Sequence, residues 1–195
     1  MRVLVVVAHP NPDSFGQAIA ATATAALRNG GHDVTVLDLY AERFCTAMTG
    51  AERHAYHTEQ PIVDPMVARH ADQLKRAEAL VFVYPTWWST VPAILKGWLE
   101  RVMVPGVGFV FDDQHRVRPG LMHVRRIVGI STYGASWAYV KLINDNGRRT
   151  LLRALRLNAA LRTRRSWLAL YTMDRTTEAD RVTFLARIER KMRSL

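Results

Sequence analysis

Three short segments of the 195-residue chain combine residue types that can do chemistry. His9-Pro10-Asn11-Pro12-Asp13-Ser14-Phe15-Gly16 brings a histidine, a hydroxyl and backbone N–H groups to an expected helix N-terminus, where partial positive charge and free donors favour phosphate. A helix cap behind a rigid Pro-x-Pro turn accounts for the same residues without a ligand. Pro85-Thr86-Trp87-Trp88-Ser89 sets two adjacent tryptophans and their loop amides just after an apolar run. Such residues can be core, but placed in a loop they form a broad aromatic surface suited to a planar, hydrogen-bonding ring such as a flavin. Ser131-Thr132-Tyr133-Gly134-Ala135-Ser136 adds hydroxyls and a glycine that permits close approach.

These segments can cooperate only if the chain brings them together. Val3-Leu4-Val5-Val6-Val7-Ala8 is a continuous apolar, β-branched run that predicts a strand buried on both faces, as in a parallel sheet. A helix over residues 15–29, capped by Asp13 or Ser14 and ended by Asn29-Gly30-Gly31, and a strand over 33–39 complete a βαβ unit. Residues 40–64 are too many for a structureless connection, and Thr49-Gly50-Ala51-Glu52 reads as a capping box opening a short helix to about residue 57. Asp64-Pro65 starts a helix to about residue 77, and a third strand over 80–84 follows. Pro92 opens a helix to about residue 103. The pattern then predicts strands over 126–131 and 166–171, an Arg-rich helix over 148–161, and a last helix from about residue 178 with Val182, Leu185, Ile188 and Met192 on one face. Five strands alternating with helices predict one α/β domain over residues 1–195, a doubly wound parallel sheet between helix layers. In such sheets ligands sit beyond the carboxyl ends of the strands, which is where all three segments fall.

Other chemistries are weaker. Gly106-Val107-Gly108 lacks the third glycine of a dinucleotide fingerprint. His54 and His57 have no further ligand at metal spacing and read as a solvated helix face, so no metal site is expected. Cys45, the single cysteine, reads as a small structural residue and excludes an intrachain disulfide; with no secretory leader in the pattern, a cytoplasmic protein is expected. The longest charge-free run, Ala79 to Leu95, holds two prolines and falls short of the ~20 apolar residues a bilayer span needs.

The stretch from Pro85 to Val102 carries a resemblance. Pro85-Thr86-Trp87-Trp88-Ser89-Thr90-Val91-Pro92-Ala93-Ile94-Leu95-Lys96-Gly97-Trp98-Leu99-Glu100-Arg101-Val102 is similar to the P-x-x-W-x-x-x-P-A-x-L-K-G-W-x-(D/E)-(R/K)-V stretch of the flavodoxin-like NAD(P)H:quinone oxidoreductases, a family that includes DT-diaphorase, the modulator-of-drug-activity proteins and the ancillary subunits of potassium-efflux systems. Ala8-His9-Pro10 with Ser14-Phe15 resembles the same family's phosphate loop. The resemblance implies a flavodoxin-like three-layer fold with its five parallel strands in the order 2-1-3-4-5, a noncovalent flavin, FMN or FAD, and two-electron hydride transfer from NAD(P)H through flavin N5 to a quinone by a ping-pong mechanism. It implies that His9, Asn11, Ser14 and Phe15 hold the phosphate end, that Pro85, Thr86, Trp87 and Trp88 line the ring, and that Ser131, Thr132, Tyr133 and Gly134 meet its pyrimidine side. Tyr139 matches the family tyrosine credited with steadying charge on the reduced ring, so the resemblance makes Tyr139 and Asp145 the catalytic candidates. Asp145 stands near the place of that tyrosine's partner histidine, within reach of Tyr139 as a hydrogen-bond acceptor but opposite in charge to what a reduced ring would favour. A homodimer is implied as well, and azo or nitro reduction and a regulatory role beside a membrane transporter are the family's other occupations.

The net charge is +10, from 27 Lys+Arg against 17 Asp+Glu. Much of it lies between Asn146 and Met173, where no acidic residue interrupts Arg148, Arg149, Arg153, Arg156, Arg162, Arg164 and Arg165. One reading is a solvated helix and turn. Another is an anionic contact: an NADPH phosphate if the block borders the site, an acidic membrane or an acidic partner. Nucleic acid is not expected, since no binding module accompanies the charge.

Overall fold

A computed structural model describes residues 1–195. β1 (Arg2–Val7), β2 (Asp33–Asp38), β3 (Ala79–Pro85), β6 (Arg126–Thr132) and β7 (Arg164–Leu170) form one parallel sheet in the order β2-β1-β3-β6-β7. This is the expected 2-1-3-4-5 winding, with β6 and β7 as the sheet's fourth and fifth strands.

Alternation along β1 explains the three layers. Val3, Val5 and Val7 face α1 (Phe15–Asn29) and α8 (Glu178–Arg193), whose Ile19, Ala23, Leu27, Phe184, Ile188 and Met192 share their core. Leu4, Val6 and Ala8 face α3 (Pro65–Arg76) and α4 (Ala93–Val102), against Leu74, Leu95 and Trp98. On α8 the buried stripe runs through Phe184, Ile188 and Met192 at i, i+4 and i+8, and Val182 lies off it, exposed.

The capping expectations hold. Ser14 Oγ accepts from the Gln17 amide, Asp64 Oδ1 accepts from Met66, and Thr49 and Glu52 form a reciprocal capping box on α2 (Gly50–Ala55).

Three departures concern the second half. A hairpin of β4 (Phe109–Phe111) and β5 (Val117–Pro119) occupies what the sequence pattern leaves as loop. α5 (Trp137–Leu142), capped by Ser136, follows β6 where a loop is expected. The expected helix over 148–161 begins earlier and ends earlier, running through α6 (Asn146–Arg149), a π-helical stretch Thr150–Ala154 and α7 (Leu155–Leu157). It stops there because Leu121 donates its amide to the Asn158 carbonyl at 2.7 Å and bridges to Ala159, which turns the chain toward β7.

Gly97 of α4 shows why one motif glycine is needed. A Cβ there would lie 2.3 Å from the Thr46 carbonyl oxygen and 2.7 Å from its Cα, both backbone atoms of the segment crossing the helix. Gly97→Ala is expected to destabilise the protein by about 1–3 kcal/mol through overpacking. A fall in the urea midpoint at unchanged m-value checks this, and an unshifted midpoint refutes it.

Candidate functional site

The loops after β1, β3 and β6 meet at the carboxyl edge of the sheet. In the first, the Asn11 amide donates to His9 Nδ1 at 3.1 Å, and burial lowers the His9 pKa, so the ring is neutral with its proton on Nε2. Ser14 uses its oxygen to cap α1, leaving its proton free, and the amides of Phe15 and Gly16 donate to nothing within the chain. A Cβ on Gly16 would lie 3.0 Å from His9 Cδ2, so the glycine lets the imidazole lie against the helix start. The Phe15 ring itself packs on Phe184 in the core beneath Arg181, so only its main chain belongs to this end. The donors present suit a phosphate.

The second loop is a two-residue hairpin. Trp87 and Thr90 exchange amide-to-carbonyl bonds at 3.2 and 3.1 Å while Trp88 and Ser89 adopt φ of 47° and 63°. Trp88 is 98% exposed and Trp87 42% exposed, so neither is a core residue. The Trp87 ring lies 6.1 Å from that of His9, joining this loop to the phosphate-type loop. Pro85 is buried in β3, paired with Thr132.

The third loop is tied to the second. The Thr86 amide donates to the Thr132 carbonyl at 2.8 Å, and the Thr86 and Ser131 hydroxyls share a 2.8 Å bond. Ser131 is therefore buried and spent on positioning Thr86, not presented to a ligand. Between the loops and α5 lies a cavity of about 230 Å³ lined by Thr86, Trp88, Tyr133, Gly134, Tyr139 and Asp145, together with Ser89, Ala135, Val140 and Ile143. Ser89 and Ala135 belong to the two segments singled out in the sequence, whereas Val140 and Ile143 lie on and just after α5, which the sequence pattern does not show as a helix.

Tyr139 and Asp145 do not pair. The Tyr133 hydroxyl, 12 positions away in sequence, donates to Asp145 Oδ1 at 2.9 Å, whereas Tyr139 is half-exposed at the cavity mouth. Asp145 takes φ 46° after Asn144 at 76°, a left-handed pair that turns its carboxylate inward. Burial and the Asp145 charge push the Tyr133 hydroxyl far above its usual value, so it stays protonated and donating. Burial first, then the same carboxylate, raise Tyr84 and Tyr171 too.

Cys45 is exposed, and its carbonyl rather than its thiol is structural, accepting from Arg101 Nη1 at 2.6 Å. His54 and His57 are exposed on and after α2. No helix is long and apolar enough to cross a membrane.

The chain is 29% identical over 153 residues to the Rattus norvegicus protein named NAD(P)H dehydrogenase [quinone] 1, covering 71% of this chain and 56% of that one. It spans about half the length of the first curated relatives it matches. In solved structures it is similar to the NAD(P)H:quinone oxidoreductase of Methanothermobacter marburgensis, with a TM-score of 0.81 at 24% identity over 100% of this chain and 96% of the other. An FMN-dependent NADH-azoreductase of Bacillus anthracis in complex with FMN gives 0.79 at 13% identity over 98% and 97%. The family described as flavodoxin-like fold matches residues 1–188, from the first strand nearly to the end of α8, and with that match the chain belongs to the flavodoxin-like fold family.

Proposed function

We propose that this chain is a flavin-dependent NAD(P)H:quinone oxidoreductase that binds FMN or FAD noncovalently and works by ping-pong exchange. The observation that carries the reading is the convergence of a helix N-terminus with free amides, an exposed tryptophan hairpin and an aromatic cavity at one edge of the sheet. The names of the relatives point the same way. A flavin bound there supplies hydride acceptance from NAD(P)H and two-electron delivery to the acceptor.

The chain's own residues bind and orient. His9 Nε2, the Ser14 hydroxyl and the Phe15 and Gly16 amides would hold the flavin's phosphate, with Asn11 fixing the His9 tautomer. Trp87 and Trp88 would hold the flavin ring, with Thr86, positioned by Ser131 and Thr132, and with Tyr133 and Gly134 of the same cavity. Tyr139, half-exposed in that cavity, would meet the donor and the acceptor. Trp88 at the cavity and Trp137 and Leu142 on α5 are exposed large apolar residues, which supports a homodimer. We place the protein in the cytoplasm as a single flavin-binding domain, in keeping with its lone cysteine.

The purified protein is expected to show a yellow flavin band as isolated or after adding FMN or FAD, and to give parallel initial-velocity lines when NAD(P)H and a benzoquinone are varied. Absence of the band after reconstitution, or intersecting lines, would overturn the assignment. Chromatography of the released cofactor decides between FMN and FAD.

A further inference from the structure

Beside the aromatic cavity lies a larger one of about 440 Å³ whose wall carries five cations, Lys141, Arg148, Arg149, Arg153 and Arg165, against one carboxylate, Asp145. None of the five belongs to any of the chain's ion pairs. Arg165 is tethered, its Nη1 donating to the Leu152 carbonyl at 2.9 Å, and Lys141 lies over the Trp137 ring at 5.6 Å, while the Arg148, Arg149 and Arg153 side chains make no hydrogen bond within the chain. Cations elsewhere, such as Arg2, Arg69, Arg101, Arg116 and Arg193, do have carboxylate partners. Like charges gathered in a concave wall repel one another and focus a positive potential outward, which an anion relieves.

The backbone is bent to gather them. Asn144 and Asp145 are left-handed, and Thr150–Ala154 is π-helical, so Arg148 and Arg149 before the widened turn and Arg153 within it reach one cavity. Such π segments and strained residues concentrate at functional sites. The two cavities share a wall: Asp145 lines both, and α5 gives Tyr139 and Val140 to one and Lys141 to the other. One ligand can therefore have its reacting end beside the tryptophans and its anionic end among the arginines.

We propose that the arginine cavity is a subsite for the 2′-phosphate of NADPH, so that this chain selects NADPH over NADH. The inference rests on the nicotinamide-nucleotide reading above. A terminal phosphate monoester carries about −1.5 to −2 charge at neutral pH and three acceptor oxygens. Convergent guanidinium forks match that group bidentately. The pyrophosphate, common to both nucleotides, presents fewer free oxygens per phosphorus and cannot discriminate between them. Leu152 and Trp167 supply apolar surface beside the cations for the attached ribose and base.

The test does not depend on flavin or turnover. Calorimetric titration of the full chain with 2′,5′-ADP and with 5′-AMP should show the former binding at least about tenfold tighter, since charge-assisted bonds are the stronger ones. The advantage should shrink as salt rises. In the double variant Arg148→Gln/Arg153→Gln the preference should fall to near unity, and in Arg190→Gln, on α8, it should persist. Thermal melting establishes that each variant is folded. If the flavoenzyme reading also holds, the ratio of kcat/KM for NADPH to that for NADH should follow the same pattern. Equal affinity for the two mononucleotides, a preference that survives the double variant, or binding to phosphatidylglycerol vesicles without nucleotide preference would each overturn the proposal. Absence of flavin together with a strong 2′,5′-ADP preference would overturn the enzyme reading alone.

Discussion

Arg101→Ala is expected to lower the unfolding free energy by about 3–5 kcal/mol, the usual consequence of removing one partner from a buried ion pair. Arg101 is buried on α4, and its guanidinium donates to Glu52 Oε1 at 2.7 Å, to Asp64 Oδ2 at 2.7 Å and to the Cys45 carbonyl at 2.6 Å. One side chain thus fastens the cap of α3, the first turn of α2 and the segment before it to the helix that follows the tryptophan loop. Alanine would leave Glu52 buried with only the Thr49 amide and hydroxyl nearby. At about 2–4 °C per kcal/mol for a chain of this size, Tm should fall by roughly 10 °C. The same network sets an acid limit. Burial alone would raise the Glu52 carboxyl, but the Thr49 amide and the Arg101 guanidinium hold it below its ordinary 4.5. Against the same burial, Arg101 and the amides of Met66 and Val67 hold Asp64 below its ordinary 3.8. A carboxyl depressed in the folded state contributes fully above its unfolded pKa and loses that contribution as pH falls through the folded value. Stability measured by urea at successive pH values should therefore drop below about pH 4.5 in the parent. The drop should be shallower in Arg101→Ala, and equal slopes would refute the assignment.

Arg101 also marks the boundary between what local pattern conveys and what it does not. β1 and β3 were legible because strands buried on both faces must be apolar throughout, and α1, α2 and α3 because Ser14, Thr49 and Asp64 are caps whose chemistry is local. The positions of the three ligand loops followed from strand order alone. Contacts distant in sequence did not follow. Arg101 reaches Glu52 across 49 positions, and Ser131 reaches Thr86 across 45. Short elements escaped for a different reason: a six-residue α5 and three-residue strands β4 and β5 carry too few residues to establish a period. Leu151, Leu152 and Leu155 stand at i, i+1 and i+4, an ordinary helical stripe that enters the core, so their spacing predicts a helix there but not its π-helical turn.

Strain follows the same division. Trp88, Ser89, Asn144, Asp145 and Thr172 are five of the seven non-glycine residues with positive φ, and all lie beyond the carboxyl ends of β3, β6 and β7. Only Asn and Asp visit that region readily, and a tryptophan there is an outlier. The hairpin bonds between Trp87 and Thr90 hold Trp88 in place, which fixes its ring outside the core. The chain therefore concentrates conformational cost where the proposed ring and nucleotide meet, while the opposite edge of the sheet stays regular.

Asp145→Asn is expected to raise the two-electron midpoint potential of the bound flavin by about 30–40 mV. Asparagine keeps an oxygen to accept from Tyr133 and tolerates the left-handed φ of 46°, so the fold should change little while one negative charge is removed. That charge is buried and lines the cavity proposed for the ring, where it opposes the gain of electrons. At an effective dielectric constant of about 20, a unit charge about 10 Å away contributes roughly 1.7 kcal/mol. For a two-electron couple about 1.4 kcal/mol corresponds to about 30 mV, which gives the expected rise. Spectroelectrochemical titration of both proteins at pH 7 measures it, with thermal melting to establish equal folding. Equal potentials would place the ring away from Asp145 and so remove the cavity from the proposed site. A rise would mean that the aspartate standing near the family histidine's place tunes this chain toward a more reducing flavin, with the Tyr133 hydroxyl holding the carboxylate in position rather than relaying a proton to Tyr139.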